Sequence, residues 1–388
     1  MSRQIKSLAV AAAAVTALAG LAGCGGSSSS SASGTGGGSG STDAAVISAA
    51  KAALTKDTAL PAFTAGESID VSKLQGKTVA VIAHDQTSDE LVQILQGAQQ
   101  AGQAAGVKVL AFNGDKDVTK IQQYFTQAIN QHVGAIVVDG IDPKVISGSL
   151  KAAGAAKIPV IAAENSPIDT SAAGQGAGDG FAANAEPPNY DLGKLVVDKA
   201  IADSNGSVNA AIITFDNAVG KSAQQGMNDE LAKCGGCKVV QTVSIEPGDW
   251  PTKVSPEVQS LLRAHPDLNY ILVAADTMGI FATTGVKIAM KSGKVKVLGV
   301  DGSADAPLSL VKDGSIFAAD PGSSPAWIGW AAMDQAYRAM LGVKPADPTV
   351  PYRWIDSAQL ANANTKDLST VYGTAYVDGY KKEWGVNG

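Results

Sequence analysis

From Lys77 onward, short unbroken apolar runs alternate with segments of helical periodicity, and this alternation restricts the chain more than any other feature. Thr78–Ala83 is apolar after its first residue, as expected of a strand covered on both faces in a parallel sheet. Leu91, Ile94, Leu95 and Ala98 then repeat at helical spacing, ending near Gly106. Thr87-Ser88-Asp89-Glu90, with Glu three residues after Thr, predicts a capping box at the helix start. The unit recurs. Further strands are predicted at 107–112, 135–138, 159–163, 209–215, 238–245, 270–274, 296–300 and 315–319. Helices are predicted at 118–129, 143–155, 189–203, 219–233, 251–264, 277–291 and 325–341, with a short one near Ala306. A short amphipathic helix at 44–56 and an extended lead-in precede the series. Strict alternation predicts an α/β fold of parallel sheets wrapped by helices. The length of 388 residues and a Gly-rich break at 174–180 predict two Rossmann-like lobes rather than one sheet.

The first residues are an address. Arg3 and Lys6 precede an uninterrupted run of apolar and small residues at 8–22, too short and Ala/Gly-rich for a membrane span and matching a secretory signal. It ends in Leu21-Ala22-Gly23-Cys24, which looks like a lipobox, so residues 1–23 are read as a lipoprotein signal peptide and Cys24 as the acylated N-terminus. Residues 25–41 contain only Gly, Ser, Ala and Thr, which cannot bury enough apolar surface to order themselves. The stretch 24–42 is therefore read as a tether, and the expected location is extracytoplasmic, lipid-anchored to the outer face of the cell membrane.

Without the signal the chain has 28 basic against 36 acidic residues and no Lys/Arg cluster, which argues against nucleic acid as a partner. Beyond Cys24 only Cys234 and Cys237 remain, an even pair in an oxidising compartment, read as a local disulfide. A redox-active Cys-x-x-Cys lacks its usual place at the opening of a helix. Zinc lacks two ligands, and His84, His132 and His265 have no metal spacing, so neither metal nor cofactor is expected.

In open parallel sheets ligands bind at the carboxyl ends of strands. Those ends carry Asp85 and Gln86, Asp139, Glu164 and Asn165, Phe215 and Asp216, Asp276, Asp301, and Asp320. Seven ends have a carboxylate, and for each the plain alternative is a cap on the following helix. Catalytic spacings fail. Gly220-Lys221-Ser222 resembles the tail of a P-loop, but Phe215 stands where its first glycine is required, and 174–180 does not complete a dinucleotide-binding motif. No G-x-S-x-G falls in the folded part, so the site reads as a binder and not an enzyme.

Taken in order, these segments resemble the type I periplasmic binding proteins, the ribose- and galactose-binding receptors of ABC importers. The resemblance spans roughly residues 76–355. It rests on Thr78–Ala83, Gly97 and Gly106, on Val133-Gly134-Ala135-Ile136-Val137-Val138-Asp139-Gly140, on Ile158-Pro159-Val160-Ile161 and His265-Pro266-Asp267, and on Val297-Leu298-Gly299-Val300-Asp301-Gly302. The stretch with Cys234, Cys237, Trp250 and Trp327-Ile328-Gly329-Trp330 also resembles an actinobacterial sugar-binding branch. The resemblance implies sugar contacts at Glu164, Asn165 and Asp301 and on the last crossover near Asp320. Three family positions depart: the stacking aromatics of the first helix are Glu90 and Leu91, an arginine is Ala223, and an asparagine is Ala275. It also implies a three-strand hinge, with crossings near 183, 322 and 350 and Asn184 a candidate contact at the first. The N-terminal lobe would then be 76–183 and 323–350, preceded by 43–75, and 184–322 with 351–388 the C-terminal lobe plus a C-terminal extension.

The function implied is capture of a small polar solute between closing lobes and delivery to an ABC permease by a monomeric receptor. A sensory receptor of the same fold is the alternative, and a repressor is excluded by the export signal. An acidic strand-end set facing at most Lys221 suits a neutral sugar or polyol, whose hydroxyls donate to carboxylates. A cationic or non-sugar solute is the alternative, and an anion would want arginine. Trp250, in the loop after a strand, is the candidate to stack on a sugar face.

Overall fold

The computed structural model describes residues 39–164 and 180–386. The expected signal peptide, Cys24 and most of the tether lie outside them. The order is α1 (Ser39–Ala53), β1 (Thr78–Ala83), α2 (Asp89–Ala105), β2 (Lys108–Asn113), α3 (Val118–Asn130), β3 (Ala135–Asp139), α4 (Ser147–Ala155), β4 (Val160–Ala163) and β5 (Ala183–Ala185). The second half contains α5 (Asn189–Ser204), β6 (Asn209–Thr214), α6 (Ala218–Leu231), β7 (Lys238–Ser244), α7 (Trp250–Ala264), β8 (Tyr270–Val273), α8 (Asp276–Ile288), β9 (Lys296–Leu298), α9 (Asp305–Asp313) and β10 (Phe317–Ala319). After it come β11 (Gly322–Ser323), α10 (Pro325–Leu341), β12 (Tyr352–Arg353), α11 (Ser357–Leu360), α12 (Ser369–Tyr372) and α13 (Ala375–Glu383).

Two five-stranded parallel sheets result, ordered β2-β1-β3-β4-β5 and β10-β9-β8-β6-β7. Every residue of β3, β4 and β8 is buried, the behaviour that continuous apolar runs dictate. Helix α10 leaves the second sheet and packs on α2 and on β3, β4 and β5 of the first. A Cβ on Gly97 would meet the Ala326 carbonyl oxygen at 2.2 Å, so only glycine lets these two helix backbones approach.

Several expectations are corrected. β5 and the β11–β12 pair are too short to leave a sequence pattern. Helix α1 starts at Ser39, inside the stretch read as tether, and packs on α5 of the second lobe. The capping box does not form: the Thr87 hydroxyl donates to Asp85 at 2.6 Å, which frees Glu90 from the helix start. Residues 351–388, expected as part of the second lobe plus a C-terminal extension, divide between the lobes. Trp354, Leu360, Val371 and Tyr372 enter the second lobe's core, whereas Tyr376 and Trp384 enter the first lobe's. There α13 closes over α10, with Trp384 stacked on Trp330 at 5.4 Å and Tyr376 on Trp327 at 5.0 Å. Both α10 tryptophans are thus packing residues, buried to 2% exposure. The lead-in completes this layer through Phe63 and through the Ile69 amide, which donates to the Glu383 carbonyl. Cys234 and Cys237 form a disulfide at the turn between α6 and β7.

Asp198 of α5 is buried beside Glu230 of α6, and burial first, then that charge, pushes its carboxyl up to about 7. The folded state therefore binds a proton between about pH 4 and 7 that the unfolded chain has released, so stability falls as pH rises through this window, by at most about 1.4 kcal/mol per pH unit from one group. Asp198→Asn is expected to flatten that decline and to raise the melting temperature at pH 8, as followed by calorimetry across pH. An unchanged profile would contradict the assignment.

Candidate functional site

The lobes are drawn together over the carboxyl ends of both sheets. Gln93 of α2 donates across the gap to the Ser303 carbonyl at 3.2 Å. In the first lobe, neighbouring strands β1, β3, β4 and β5 end in Asp85, Asp139, Glu164 and Glu186. In the second, β8, β9 and β10 lead into Asp276, Asp301 and Asp320. Glu90, on the first turn of α2, reaches between the rows: burial pushes its carboxyl well up, and the charges of Glu164 and Asp276, one from each lobe, add to the rise.

The same physics acts around the cleft. Burial and then Glu90 and Asp85 raise Asp139; burial and then Glu186, Asp139 and Asp276 raise Glu164. Asp301 is raised by burial and then by Glu90, Asp276, Glu164 and Asp320. Asp320 is raised by burial and then by Asp276. Glu90 and Asp301 keep some accessible surface, although burial dominates their titration.

Two carboxyls are occupied by neighbouring loop residues. Burial works against Asp85, but bonds from the Thr87 amide at 2.7 Å and hydroxyl at 2.6 Å outweigh it and hold its carboxyl below the usual range. Asp85 thus closes the turn that leads into α2 and is not the cap of that helix, whose first flanking residue, Ser88, makes no side-chain cap bond. Asp276 accepts from the Ser303 amide at 3.0 Å and hydroxyl at 2.8 Å, which only partly offset burial. Asp139 is the opposite case, with no exposure and no donor for either oxygen. Asp320 is equally buried, its one nearby donor, the Gly302 amide, falling short of hydrogen-bond geometry.

Backbone strain marks the same positions. Glu164 has φ 60° and Asp301 φ 113°, conformations a non-glycine residue holds at a cost of about 1–3 kcal/mol unless its surroundings impose them. The chain crossing imposes Asp301, whose amide donates to Pro321 at 3.1 Å in a bridge with Gly322.

Other expected residues do not join this group. Asp216 lies at the surface in an ion pair with Lys221, its side chain 62% exposed. Gln86 is exposed, and Asn165 lies outside the described residues. Asn184 is buried in β5, its carbonyl accepting from Gln335 of α10 at 3.1 Å. Phe215 and Trp250 pack edge to face at 5.4 Å, and the Trp250 indole donates to the Ile245 carbonyl. Sequence reasoning missed Glu90 and Glu186. The Pro187-Pro188 pair after Glu186 was the available signal, since a residue before proline is held extended, like a strand end. Among the described residues no group of His, Cys, Asp and Glu is spaced to hold a metal. A surface hollow of about 430 Å³ lined by Leu74, Thr78, His132 and Met340 opens at the far end of β1, away from all these groups.

Two parallel α/β lobes that close strand end to strand end, with the chain passing repeatedly between them, define a two-lobed solute receptor. The sequence model of the periplasmic binding protein domain matches residues 79–344, and the chain belongs to that family. It is a family of solute-binding transport proteins of type I architecture, not of enzymes. The ribose import binding protein of Salmonella typhimurium is 23% identical over 288 residues, 74% of this chain and 93% of that one. That of Bacillus subtilis is 27% identical over 255 residues, 65% and 78% of the two chains. Among solved structures, a solute-binding protein from Burkholderia graminis in complex with D-arabinose matches with a TM-score of 0.65 at 23% identity, over 76% of this chain and 99% of that one.

Proposed function

We propose that this chain is the extracytoplasmic receptor of an ABC importer and captures a sugar or polyol between its lobes. The observation that carries this reading is the pair of carboxyl rows, one per lobe, brought face to face in a fold whose relatives are named for ribose and fructose import and for allose binding. Carboxylates accept from hydroxyl groups, so Asp139, Glu164, Asp301 and Asp320 would take solute hydroxyls. Glu90 and Glu186 add to the acidity inferred from sequence, so the solute is polyhydroxylated and not anionic. Neutral sugars and polyols suit it, as does a solute with a positive charge.

A solute at about a hundred times its dissociation constant stabilises the folded state by about 2.7 kcal/mol, enough for a clear thermal shift. In a metabolite panel, shifts are expected among sugars and polyols, and Asp301→Ala and Glu164→Ala are expected to abolish them. Shifts confined to sugar phosphates or dicarboxylates would overturn this reading of the cleft. The receptor is read as a monomer held to the membrane through Cys24. Cys24→Ser is expected to release it to the soluble fraction with its fold intact, and a variant that still sediments with membranes would remove the lipid anchor from the account.

A further inference from the structure

Burying a carboxylate without a counter-charge costs several kcal/mol, so a cleft that gathers many must be balanced by protons or by a cation from outside. The protein supplies little that is positive. Arg353 is spent on the Thr58 and Val371 carbonyls, Arg338 on Asp334 and Glu383, and Lys221 on Asp216 at the surface. Among the described residues no ion pair reaches Glu90, Asp139, Glu164, Asp301 or Asp320, and the charges that act on them are other carboxyls. Lys116 and His84 act only on Asp85, at one end of the row. Tyr372 of α12 keeps its proton and donates it to the Gly302 carbonyl at 2.7 Å. Asp139 is decisive. Strand β3 ends it between Asp85 and Glu164 with no exposure and both oxygens lacking donors, and no local loop geometry accounts for it as one does for Asp85.

Resting on the reading of the cleft as a polyol site, we propose that the solute carries a protonated amine: an amino-substituted sugar, sugar alcohol or cyclitol whose ammonium lies between Asp139 and Glu164 of one lobe and Asp301 and Asp320 of the other. A primary or secondary ammonium brings several N–H donors, as charge-assisted bonds, to both oxygens of Asp139 and Asp320 and to Glu164 Oε2, which have none, and to Asp301, which accepts only from the Asp276 amide at 3.3 Å. A quaternary ammonium would need an aromatic cage, and among the described residues the Phe215 and Trp250 rings are packed edge to face on each other. An ammonium also replaces the protons that crowding holds on the empty cleft. Binding therefore releases protons and tightens as pH rises, for as long as the amine itself stays protonated.

Matched probes test this: D-glucose, D-glucosamine and N-acetyl-D-glucosamine; D-glucitol and 1-amino-1-deoxy-D-glucitol; myo-inositol and an amino-deoxy-inositol. Thermal shifts at pH 6.5, where the amine probes are protonated, are followed by calorimetric titration in two buffers of different ionisation enthalpy. At least one amine should bind more than about tenfold tighter than its hydroxyl or N-acetyl partner and release protons. D139N/D320N should erase that advantage. Each substitution keeps the side chain's shape and removes like-charge repulsion, so the unliganded variant should melt at or above the parent, and Glu164→Gln provides a second variant. The proposal is overturned if no amine surpasses its partner, if binding takes up protons, or if the advantage survives in the variants. Neutral sugars binding while amines are silent would overturn it and leave the polyol receptor standing. Shifts by phosphates or dicarboxylates alone would overturn both.

Discussion

Arg338→Ala is expected to destabilise the protein by about 3–5 kcal/mol, because it strips the cation from a buried cluster and leaves two carboxyls facing each other. Arg338 is 1% exposed on α10, and its Nε donates to Asp334 at 2.7 Å. Its terminal nitrogen donates to the Glu67 carbonyl at 2.8 Å and to Glu383. The Trp384 indole completes Asp334 at 2.8 Å, and the Gly66 amide completes Glu383 at 2.7 Å. One guanidinium thus ties the lead-in, α10 and α13 into a single layer on the first lobe. Burial already pushes Asp334 and Glu383 upward, so their loss of partner should also make the variant more stable in mild acid than at neutral pH. Denaturant unfolding with limited proteolysis of residues 375–386 checks both parts. A variant that unfolds like the parent, with α13 still protected, would contradict the arrangement.

Gly322→Ala is the second large effect expected. A Cβ there would lie 1.6 Å from the Asp301 carbonyl oxygen and 2.1 Å from its carbon, and both neighbours are backbone. No side-chain rotation relieves that overlap, so the crossing β11 must separate from the β9 end at a cost of about 3 kcal/mol. The separation displaces Asp301 directly and Asp320 two residues before the substitution. Solute-induced stabilisation should therefore disappear together with a fall in the unliganded melting temperature. Full solute response in a destabilised variant would detach Asp301 from the site.

What could be read from the sequence follows from where the physics is local. Nine of the ten strands in the two large sheets announce themselves, the central ones because a strand covered on both faces must be continuously apolar and the half-exposed edge strands β2 and β7 by their place in the alternation. Their ends then point to the strand-end carboxyls, six of which the structure places in the cleft. Asp216 follows the same rule and fails, because a lysine five residues on, Lys221, holds it at the surface. Glu90 was hidden by its own plausibility as a capping residue, a role lost once Asp85 took the Thr87 hydroxyl and amide. The fate of the C-terminal segment depends on contacts about fifty residues distant in the chain, such as Trp384 with Trp330. Tyr376, Tyr380 and Trp384, spaced four apart, mark one aromatic helix face, yet nothing local names the helix it covers.

Closure of the lobes over a solute is the centre of this account, and the distance across the cleft mouth reports it. Lys144 of the first lobe and Lys221 of the second are both exposed and close enough that Asp216 feels Lys144 and Lys221 feels Asp142. Spin labels on Lys144→Cys and Lys221→Cys, in a Cys24→Ser background with the disulfide intact, give the interlobe distance by pulsed electron paramagnetic resonance. With the solute that produces the largest thermal shift, the account predicts one short, narrow distribution, and without it a longer and broader one. The same distribution in both conditions would contradict it.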